Sequence, residues 1–270
     1  MPASLRRATS VPVHLPRGLL VERARSSGLV VCLDYDGTLA EFNKDPAAAT
    51  PVPGVSANLS QLIKTPEKIT IAIVTGRRVV DVVPLLGLER GLFISGLHGL
   101  EFMSADGTTS VSPEVSDHAY DLDRVRTWLA SNVPPSRGFW IEDKEFTVVL
   151  HFRLANPEEA SRLSDRLDQF VASQTPTLRT ARLVKVIEVM PRTASKVRAI
   201  DMLRRRVPAS FRITYFGDDN SDEDVFCALG QEEIGVLVGE PRESFAPYRV
   251  NAPSDVEHEL RDLADHFGAV

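Results

Sequence analysis

Short apolar runs alternate with amphipathic segments along most of the chain. The apolar runs cover residues 29–33 and 69–74, and further strand-like segments cover residues 91–95, 212–216 and 234–238. Continuous apolar runs of about five residues are typical of strands that are buried on both faces of a parallel sheet. Helix-like patterns lie between or after these runs at 55–67, 79–86, 194–206, from about 221, and 255–267. The alternation predicts an α/β fold with a doubly wound parallel sheet.

This alternation is interrupted after Leu100. The elements predicted in the interruption are a helix at 115–133, strands at 139–141 and 146–152, a helix from Asn156 and Pro157 to about 173, and one or two strands within 178–189. A helix–strand–strand–helix–strand–strand order differs from the flanking units. We therefore predict a smaller inserted α+β domain at 113–190. The core would comprise residues 28–112 and 191–270, and residues 1–27 would form a mobile N-terminal arm.

Composition narrows the range of partners. The 270 residues include 37 acidic and 31 basic side chains, for a net charge near −6, whereas proteins that bind nucleic acid or anionic membranes usually have a basic surplus. No apolar run approaches the ~18–20 residues of a membrane-spanning helix. Cys32 and Cys227 have apolar neighbours in the sequence, which predicts two buried free thiols in a reducing compartment. We expect a cytoplasmic monomer that binds neither nucleic acid nor membranes.

Asp34 and Asp36 give the sharpest chemical signal. They follow the apolar run 29–33 directly, within Asp34-Tyr35-Asp36-Gly37-Thr38, and parallel sheets bind ligands at the carboxyl ends of their strands. Asp34 could attack a phosphorus atom and form an acyl phosphate. Asp36 could protonate the leaving oxygen and later deprotonate water. The alternative is an Asp-rich loop that only caps a strand.

Three further residues have both a chemical and a structural interpretation. The Thr75 hydroxyl could donate to a phosphoryl oxygen, or it could cap the helix that begins near Val79. Arg77 could contact phosphate, although a surface ion pair is the simpler interpretation. Lys196 starts a predicted helix, where a cation opposes the macrodipole. It would either neutralise the nucleophile and a transferred phosphoryl group or be an ordinary surface lysine.

A run of acids follows the strand predicted at 212–216. After Gly217 the chain reads Asp218-Asp219-Asn220-Ser221-Asp222-Glu223-Asp224. Acids are favoured in the first turn of a helix, which explains Glu223 and Asp224 better than it explains Asp218. Together with Asp34 and Asp36, Asp218 would complete an all-oxygen site. Oxygen ligands beside a phosphate ester predict Mg²⁺ as the cofactor.

The motifs resemble those of the haloacid dehalogenase-like phosphatases. They are Asp34-Tyr35-Asp36-Gly37-Thr38, Val74-Thr75-Gly76-Arg77, Lys196 and Gly217-Asp218-Asp219. A domain inserted between the second and third motifs resembles the type 2B cap. Within this superfamily the chain resembles the trehalose-6-phosphate phosphatases, through further matches at residues 96–101, 142–144, 151–153, 186–189 and 217–226. The resemblance covers nearly all of the chain beyond residue 28.

The resemblance implies roles for residues of the core. Asp34 is the implied nucleophile and Asp36 the implied general acid and base, while Thr75 and Lys196 resemble the phosphoryl-binding pair. The implied Mg²⁺ ligands are Asp34, the main-chain carbonyl of Asp36 and Asp218, with Asp222 holding a metal-bound water. Arg77 and His98 are candidate substrate contacts, and His98 could instead hydrogen-bond its own loop.

The resemblance also implies a sugar site in the inserted domain. Its implied members are Glu142, Lys144, Arg153 and Glu188, with the carboxylates accepting from sugar hydroxyls and the cations donating to them. Glu142 and Lys144 alternate along a predicted strand and therefore share a face. Without the resemblance, residues 142–145 would be interpreted as a solvated hairpin turn.

The chain departs from the family pattern at two positions. Ser221 stands where Thr is common, which retains a hydroxyl, and Leu97 replaces a usually polar residue. The implied activity is Mg²⁺-dependent hydrolysis of trehalose 6-phosphate to trehalose and phosphate through an aspartyl-phosphate. The alternatives are a phosphatase for another phosphosugar, of the sucrose phosphate or mannosyl-phosphoglycerate type, a sugar phosphomutase, and a catalytically silent phosphosugar-binding regulator.

Overall fold

The computed structural model describes residues 9–43, 48–134, 137–183 and 185–268. The chain forms two compact units, one of residues 1–110 and 196–270 and the other of residues 111–195. We call them the core unit and the cap unit. The position of the cap unit within the chain coincides with the interruption in the strand–helix alternation, and the bounds 113–190 for an inserted domain remain a proposal.

One nine-stranded sheet organises the core unit. In sheet order its strands are β1 (Val13–His14), β13 (Tyr248–Val250), β12 (Ile234–Val238), β11 (Arg212–Gly217), β2 (Leu29–Leu33), β3 (Ile69–Val74), β4 (Phe93–Gly96), β5 (Glu101–Met103) and β6 (Thr109–Val111). Pairing is parallel from β1 through to β4, and β5 pairs with β4 in the antiparallel sense. The predicted α/β fold with a parallel sheet is therefore confirmed.

Helices cover both faces of this sheet. They are α1 (Leu19–Ser27), α2 (Val55–Leu62), α3 (Val79–Leu86), α6 (Lys196–Arg204), α7 (Asn220–Ala228) and α8 (Pro253–Phe267). Because side chains alternate along a strand, Val31 of β2 lies in one apolar cluster with α2 and α8, while Val30 lies in another with α6 and α7. This arrangement is the doubly wound one. No helix in the described part of the chain is both long and apolar enough to cross a membrane.

Residues 9–27 differ from the mobile arm that the sequence suggested. Val13–His14 pairs with β13 at the sheet edge, and α1 buries Leu20, Val21 and Ala24 in the core. A two-residue strand is too short to show a period, and arginines among the α1 residues obscured its apolar face. The expectation was therefore wrong for residues 9–27, whereas residues 1–8 lie outside the described residues.

The two cysteines differ in exposure. Cys32 is buried in β2, whereas Cys227 is exposed on α7. The expectation that both thiols are buried was therefore wrong for Cys227. Its apolar sequence neighbours Val225 and Phe226 lie on the buried face of α7. Cys227, the next residue, lies on the exposed face of that helix.

The cap unit is a four-stranded antiparallel sheet with two helices. The strand order is β7 (Trp140–Asp143), β8 (Val148–His151), β10 (Val186–Pro191) and β9 (Leu178–Leu183), and the helices are α4 (Ala119–Asn132) and α5 (Pro157–Gln174). Leu150 and Ile187 pack on one face of the sheet with Val125 of α4 and Leu167 of α5. The opposite face carries Glu142.

Asn156 caps α5 as its sequence context predicts. Its side chain accepts hydrogen bonds from the backbone N–H groups of Glu158 and Glu159, at 2.9 and 3.3 Å, and Pro157 takes the first helical position. The cap satisfies two amides that have no partner inside the helix.

We expect Asn156→Ala to lower the free energy of unfolding by about 1 kcal/mol, because the two amides lose their acceptor. Chemical denaturation followed by circular dichroism measures the change, and Asn156→Asp, which keeps an acceptor, serves as the control. Equal stability of the alanine and aspartate variants would contradict this account of the helix start.

Candidate active site

Asp34 and Asp218 are brought together by two neighbouring parallel strands. Asp34 follows the last residue of β2, Asp218 follows the last residue of β11, and the Asp34 N–H donates to the Phe216 carbonyl at 2.9 Å. Among the described residues, Asp34, Asp218 and Asp222 each offer a carboxylate oxygen within 4.8 Å of the others. The carboxyl edge of the sheet therefore groups three of the four acids predicted at the metal site, without the Asp36 carboxylate.

Lys196 supplies the positive charge of this cluster. Its Nζ lies 3.1 Å from Asp34 Oδ1 and 2.8 Å from Asp222 Oδ1, and the residue is only 4% exposed. Burial alone would lower the pKa of Lys196, but Asp222 and Asp34 outweigh it and raise that pKa above its ordinary value. Lys196 therefore stays protonated, and the surface-lysine interpretation is wrong.

Asp222 is saturated with hydrogen bonds and organises the loop that carries Asp218. Its Oδ1 accepts from the Tyr215 hydroxyl at 2.6 Å as well as from Lys196, and its Oδ2 accepts from the N–H groups of Asp218 and Asp219 at 3.0 and 3.1 Å. Asp219 in turn forms a capping box with Asp222 at the start of α7. Sequence reasoning missed Tyr215, although a tyrosine within a buried strand signals a hydroxyl that needs a partner.

Two glycines make room for the acids. Gly37 has φ 77°, and a methyl group there would overlap the Asp218 carboxylate. A methyl group at Gly217 would likewise overlap the Asp222 carboxylate. The space around these carboxylates and their all-oxygen donor set fit Mg²⁺, which prefers hard oxygen ligands and binds through few carboxylates. The main-chain carbonyl of Asp36 remains a predicted third ligand beside Asp34 and Asp218, and Asp222 remains the predicted holder of a metal-bound water.

Asp36 is held by Arg77 rather than by the acidic cluster. The Arg77 guanidinium donates to both carboxylate oxygens of Asp36, at 2.7 and 2.6 Å, and lies 4.9 Å from the centre of the Tyr35 ring. The Arg77 side chain is 12% exposed. The predicted ion pair therefore exists but is not on the surface, and a bidentate pair of this kind fixes the plane of the carboxylate.

Thr75 does not cap α3, because the first amide of that helix donates to another residue. The Thr75 hydroxyl oxygen accepts from the Arg77 N–H at 3.1 Å, whereas the first amide of α3, on Val79, donates to Glu101 Oε2 at 2.8 Å. The helix-cap interpretation of Thr75 is therefore wrong. Glu101 was missed as the cap because it lies on β5, on the C-terminal side of the helix in sequence.

His98 lies against Gly76 in a strained segment. Leu97 and His98 both have a left-handed backbone conformation, with φ 47° and 54°. Residues other than glycine seldom adopt this conformation. The His98 N–H donates to the Thr75 carbonyl at 3.0 Å, and a methyl group at Gly76 would come within 2.7 Å of His98 Nε2. The loop therefore places the imidazole beside Gly76, the residue that follows Thr75. Leu97 is fully buried, so this departure from the family pattern fills core volume.

The cap unit groups three of its four predicted sugar contacts. Glu142 on β7 and Glu188 on β10 are both in register with Val149 of β8 and therefore share a face. Lys144 Nζ lies 3.7 Å from Glu188 Oε1. Arg153 lies two residues beyond β8 and is half-buried. Within the described residues it makes no hydrogen bond or ion pair with the other three.

Comparison with known proteins places this geometry in a family. A family model described as trehalose-phosphatase matches residues 32–256. The match contains the acidic cluster, Lys196 and the whole cap unit. The chain belongs to the trehalose-phosphatase family.

A curated relative in this family is the trehalose-phosphate phosphatase of Mycobacterium marinum. It is 32% identical over 230 residues, which cover 83% of this chain and 56% of the relative. The chain therefore spans about half the length of the curated relatives that it matches.

Solved structures show that the trehalose-phosphatase fold occurs in proteins with different names. The C-terminal domain of trehalose-6-phosphate phosphatase from Candida albicans superposes with a TM-score of 0.80 at 23% identity, covering 95% of this chain and 99% of that domain. The C-terminal domain of a Candida albicans trehalose synthase regulatory protein gives 0.71 at 12% identity, covering 92% and 99%. The first likeness confirms a haloacid dehalogenase-like fold. The second shows that this fold alone does not separate an enzyme from a regulator.

We expect Gly37→Ala to weaken Mg²⁺ binding at least tenfold, because the new methyl group displaces the Asp218 carboxylate and the backbone must keep a positive φ. Titration calorimetry with Mg²⁺ measures the affinity. Gly87→Ala is a matched control, since Gly87 has φ 67° and no neighbouring atom within 4 Å of the added group. Equal Mg²⁺ affinities in the two variants would contradict the proposed role of Asp218 as a Mg²⁺ ligand.

The stability of the metal-free protein should depend on pH through Asp218. Burial and the charges of Asp222 and Asp219 raise the pKa of Asp218 to about 7. A carboxyl group with a raised folded-state pKa stabilises the protein fully below its unfolded pKa, and this contribution is lost as the pH rises through about 7.

We therefore expect a lower Tm at pH 8 than at pH 6 in the presence of a chelator, by about 2–4 °C for each kcal/mol lost. Asp218→Asn should reduce this difference because the amide does not titrate. Differential scanning calorimetry of both proteins at the two pH values makes the comparison, and an unchanged pH difference in Asp218→Asn would refute the assignment.

Proposed function

We propose that this chain is a Mg²⁺-dependent phosphatase that hydrolyses trehalose 6-phosphate to trehalose and phosphate through an aspartyl-phosphate on Asp34. The observation that carries the proposal is the meeting of Asp34, Asp218 and the buried Lys196 at one sheet edge in a member of the trehalose-phosphatase family. The curated relatives named trehalose-phosphate phosphatase support the same substrate.

Asp34 would attack the phosphorus atom of the substrate. The attack forms a bond between a carboxylate oxygen and phosphorus and breaks the bond between phosphorus and the sugar oxygen. Lys196 Nζ, 3.1 Å from Asp34 Oδ1, would offset the negative charges of the nucleophile and the phosphoryl group. Thr75, buried at the end of β3, would donate its hydroxyl proton to a phosphoryl oxygen.

Asp34, the carbonyl of Asp36 and Asp218 would hold Mg²⁺, with Asp222 ordering the loop behind them. When bound, this ion supplies positive charge that offsets the repulsion between the anionic nucleophile and the anionic ester. Burial raises the pKa of Asp34 well above its ordinary value, despite the opposing effect of Lys196. A cation in the site would act in the same sense as Lys196 and favour the ionised nucleophile.

Asp36 would move the protons in both steps. It would give a proton to the leaving sugar oxygen, and its carboxylate would later take a proton from the water that attacks the phosphoryl group and releases Asp34. The ion pair with Arg77 fixes this carboxylate. Arg77 would therefore return Asp36 to one position between the two steps.

The cap unit would recognise the sugar. The carboxylates of Glu142 and Glu188 would accept hydrogen bonds from sugar hydroxyls, and the side chains of Lys144 and Arg153 would donate to them. A site of opposed acceptors and donors distinguishes sugars by the positions of their hydroxyls, because a missing partner leaves a polar group unsatisfied. This role for the cap distinguishes a trehalose 6-phosphate phosphatase from a phosphatase that recognises only the phosphate.

We expect Asp34→Asn to reduce phosphate release from trehalose 6-phosphate by ~1000-fold or more, since the amide cannot form the acyl phosphate. Released phosphate is measured with and without Mg²⁺ for a panel that includes sucrose phosphate and mannosyl-phosphoglycerate. Asp106→Asn is the control, because Asp106 is exposed and its side chain accepts from the Thr108 N–H rather than from a residue of the proposed site.

Each alternative gives a different result in this assay. Full activity of Asp34→Asn would refute the covalent mechanism. Faster phosphate release from sucrose phosphate or mannosyl-phosphoglycerate would identify that compound as the preferred substrate. Transfer of the phosphoryl group to a sugar hydroxyl, without free phosphate, would indicate a phosphomutase. Binding of phosphosugars without turnover in Mg²⁺ would indicate a silent regulator.

A further inference from the structure

A histidine and a tryptophan of the cap unit surround one of the proposed sugar contacts. His151 Nε2 lies 2.8 Å from Glu142 Oε2. The His151 ring is stacked on the Trp140 indole, with 4.1 Å between the ring centres and 8° between the planes. His151 is 8% exposed, whereas Trp140 is 42% exposed. The imidazole is therefore buried between an aromatic ring and a carboxylate.

The strand register explains why these three side chains meet. Trp140 of β7 is directly opposite His151 of β8, and Glu142 is opposite Val149. Trp140 and Glu142 are two residues apart and point to the same face, as do His151 and Val149. His151 therefore reaches its stacking partner directly across the strand pair and its carboxylate partner along the diagonal.

We propose that His151 is a positioning residue for sugar recognition, with its Nε2–H holding the Glu142 carboxylate in one orientation and with Trp140 holding the imidazole. The inference rests on the proposed function, because that function assigns Glu142 to a sugar hydroxyl. His151 would act on the sugar through Glu142. It would lower the ordering cost of binding, since the acceptor is fixed before the sugar arrives.

The hydrogen bonding of Glu142 suits this role. A carboxylate only accepts, so the proton of the shared hydrogen bond is assigned to His151 Nε2. This bond, together with Lys144, lowers the pKa of Glu142 despite its partial burial, which keeps the carboxylate ionised. Within the described residues Glu142 Oε1 has no hydrogen-bond partner. One oxygen is thus fixed by His151, and the other remains an acceptor for a hydroxyl.

The second acid of the proposed sugar site is held in a similar way. The buried Thr147 hydroxyl donates to Glu188 Oε1 at 2.7 Å, and Thr147 precedes β8 by one residue. Thr147 and His151 are four residues apart along the same strand direction, on the face that they share with Val149. The middle of the sheet therefore carries the two donors, and the strands on either side of β8 carry the two acids.

Two substitutions separate hydrogen bonding from packing. His151→Phe keeps an aromatic ring for the stack with Trp140 but removes the donor, whereas His151→Gln keeps a donor near the Nε2 position but removes the ring. We expect His151→Phe to lower kcat/KM for trehalose 6-phosphate about tenfold relative to that for para-nitrophenyl phosphate, mainly through KM. His151→Gln should restore most of this selectivity.

A double-mutant cycle tests whether His151 acts through Glu142. We expect Glu142→Gln to lose the same selectivity, and adding His151→Phe to it to cost less than about twofold more. Asp143→Asn is the control, because Asp143 lies on the same strand, is exposed, and pairs with Arg126. All variants are purified as the full chain and assayed in Mg²⁺.

The outcomes separate this inference from the function on which it rests. A protein with unmodified sequence that releases no phosphate from trehalose 6-phosphate overturns the proposed function and this inference with it. Normal release combined with full selectivity in His151→Phe, or with additive losses in the double variant, overturns the inference alone. A loss in His151→Gln that exceeds the loss in His151→Phe does the same, because it would show that the ring matters only as packing.

Discussion

Burial of Lys196 between Asp34 and Asp222 is the interaction on which the rest of the site depends. Asp34 and Asp222 are almost fully enclosed, and two buried carboxylates this close repel each other unless a cation lies between them. Lys196 contributes that cation from the first position of α6. The position opposes the helix macrodipole, so the compensation has to come from the acids. Removing the charge of Lys196 would leave the two carboxylates without a cation, and removing the carboxylates would leave the buried ammonium group without an anion.

The same physical device recurs in each unit. A carboxylate is fixed by a neighbour whose own position is fixed by packing or by further hydrogen bonds. Asp222 is fixed by Tyr215 and two amides, Asp36 by an Arg77 that lies over Tyr35, and Glu142 by a His151 that stacks on Trp140. Fixing polar groups in advance reduces the reorganisation needed when a ligand binds.

Local patterns predicted the elements that have strong local causes. The buried strands β2 and β12 follow from unbroken apolar runs, and the start of α5 follows from Asn156 and Pro157. The two-residue strand β1 has no period to detect, and it forms only because β13 offers it a partner. The cap of α3 could not be predicted from local sequence, because its carboxylate belongs to Glu101, more than twenty positions after the helix begins.

The site shows the same division between local and distant causes. Asp34 and Asp218 could be placed together because both follow strands of a parallel sheet. Lys196 could not be assigned from its helix position, because only burial among distant acids distinguishes it from a surface lysine. The contact between His151 and Glu142 could not be predicted without the register of β7 against β8. A shift of one residue in that register would turn Glu142 to the other face of the sheet.

Trapping of the covalent intermediate tests the central claim, that Asp34 is the nucleophile, most directly. The protein is mixed with trehalose 6-phosphate and Mg²⁺, quenched in acid within one turnover, and digested for mass spectrometry. We predict a phosphoryl group on the peptide that contains Asp34, and its loss in Asp34→Asn. Turnover of the substrate with the phosphoryl group on a different residue, or with no phosphorylated peptide at any quench time, would contradict the account.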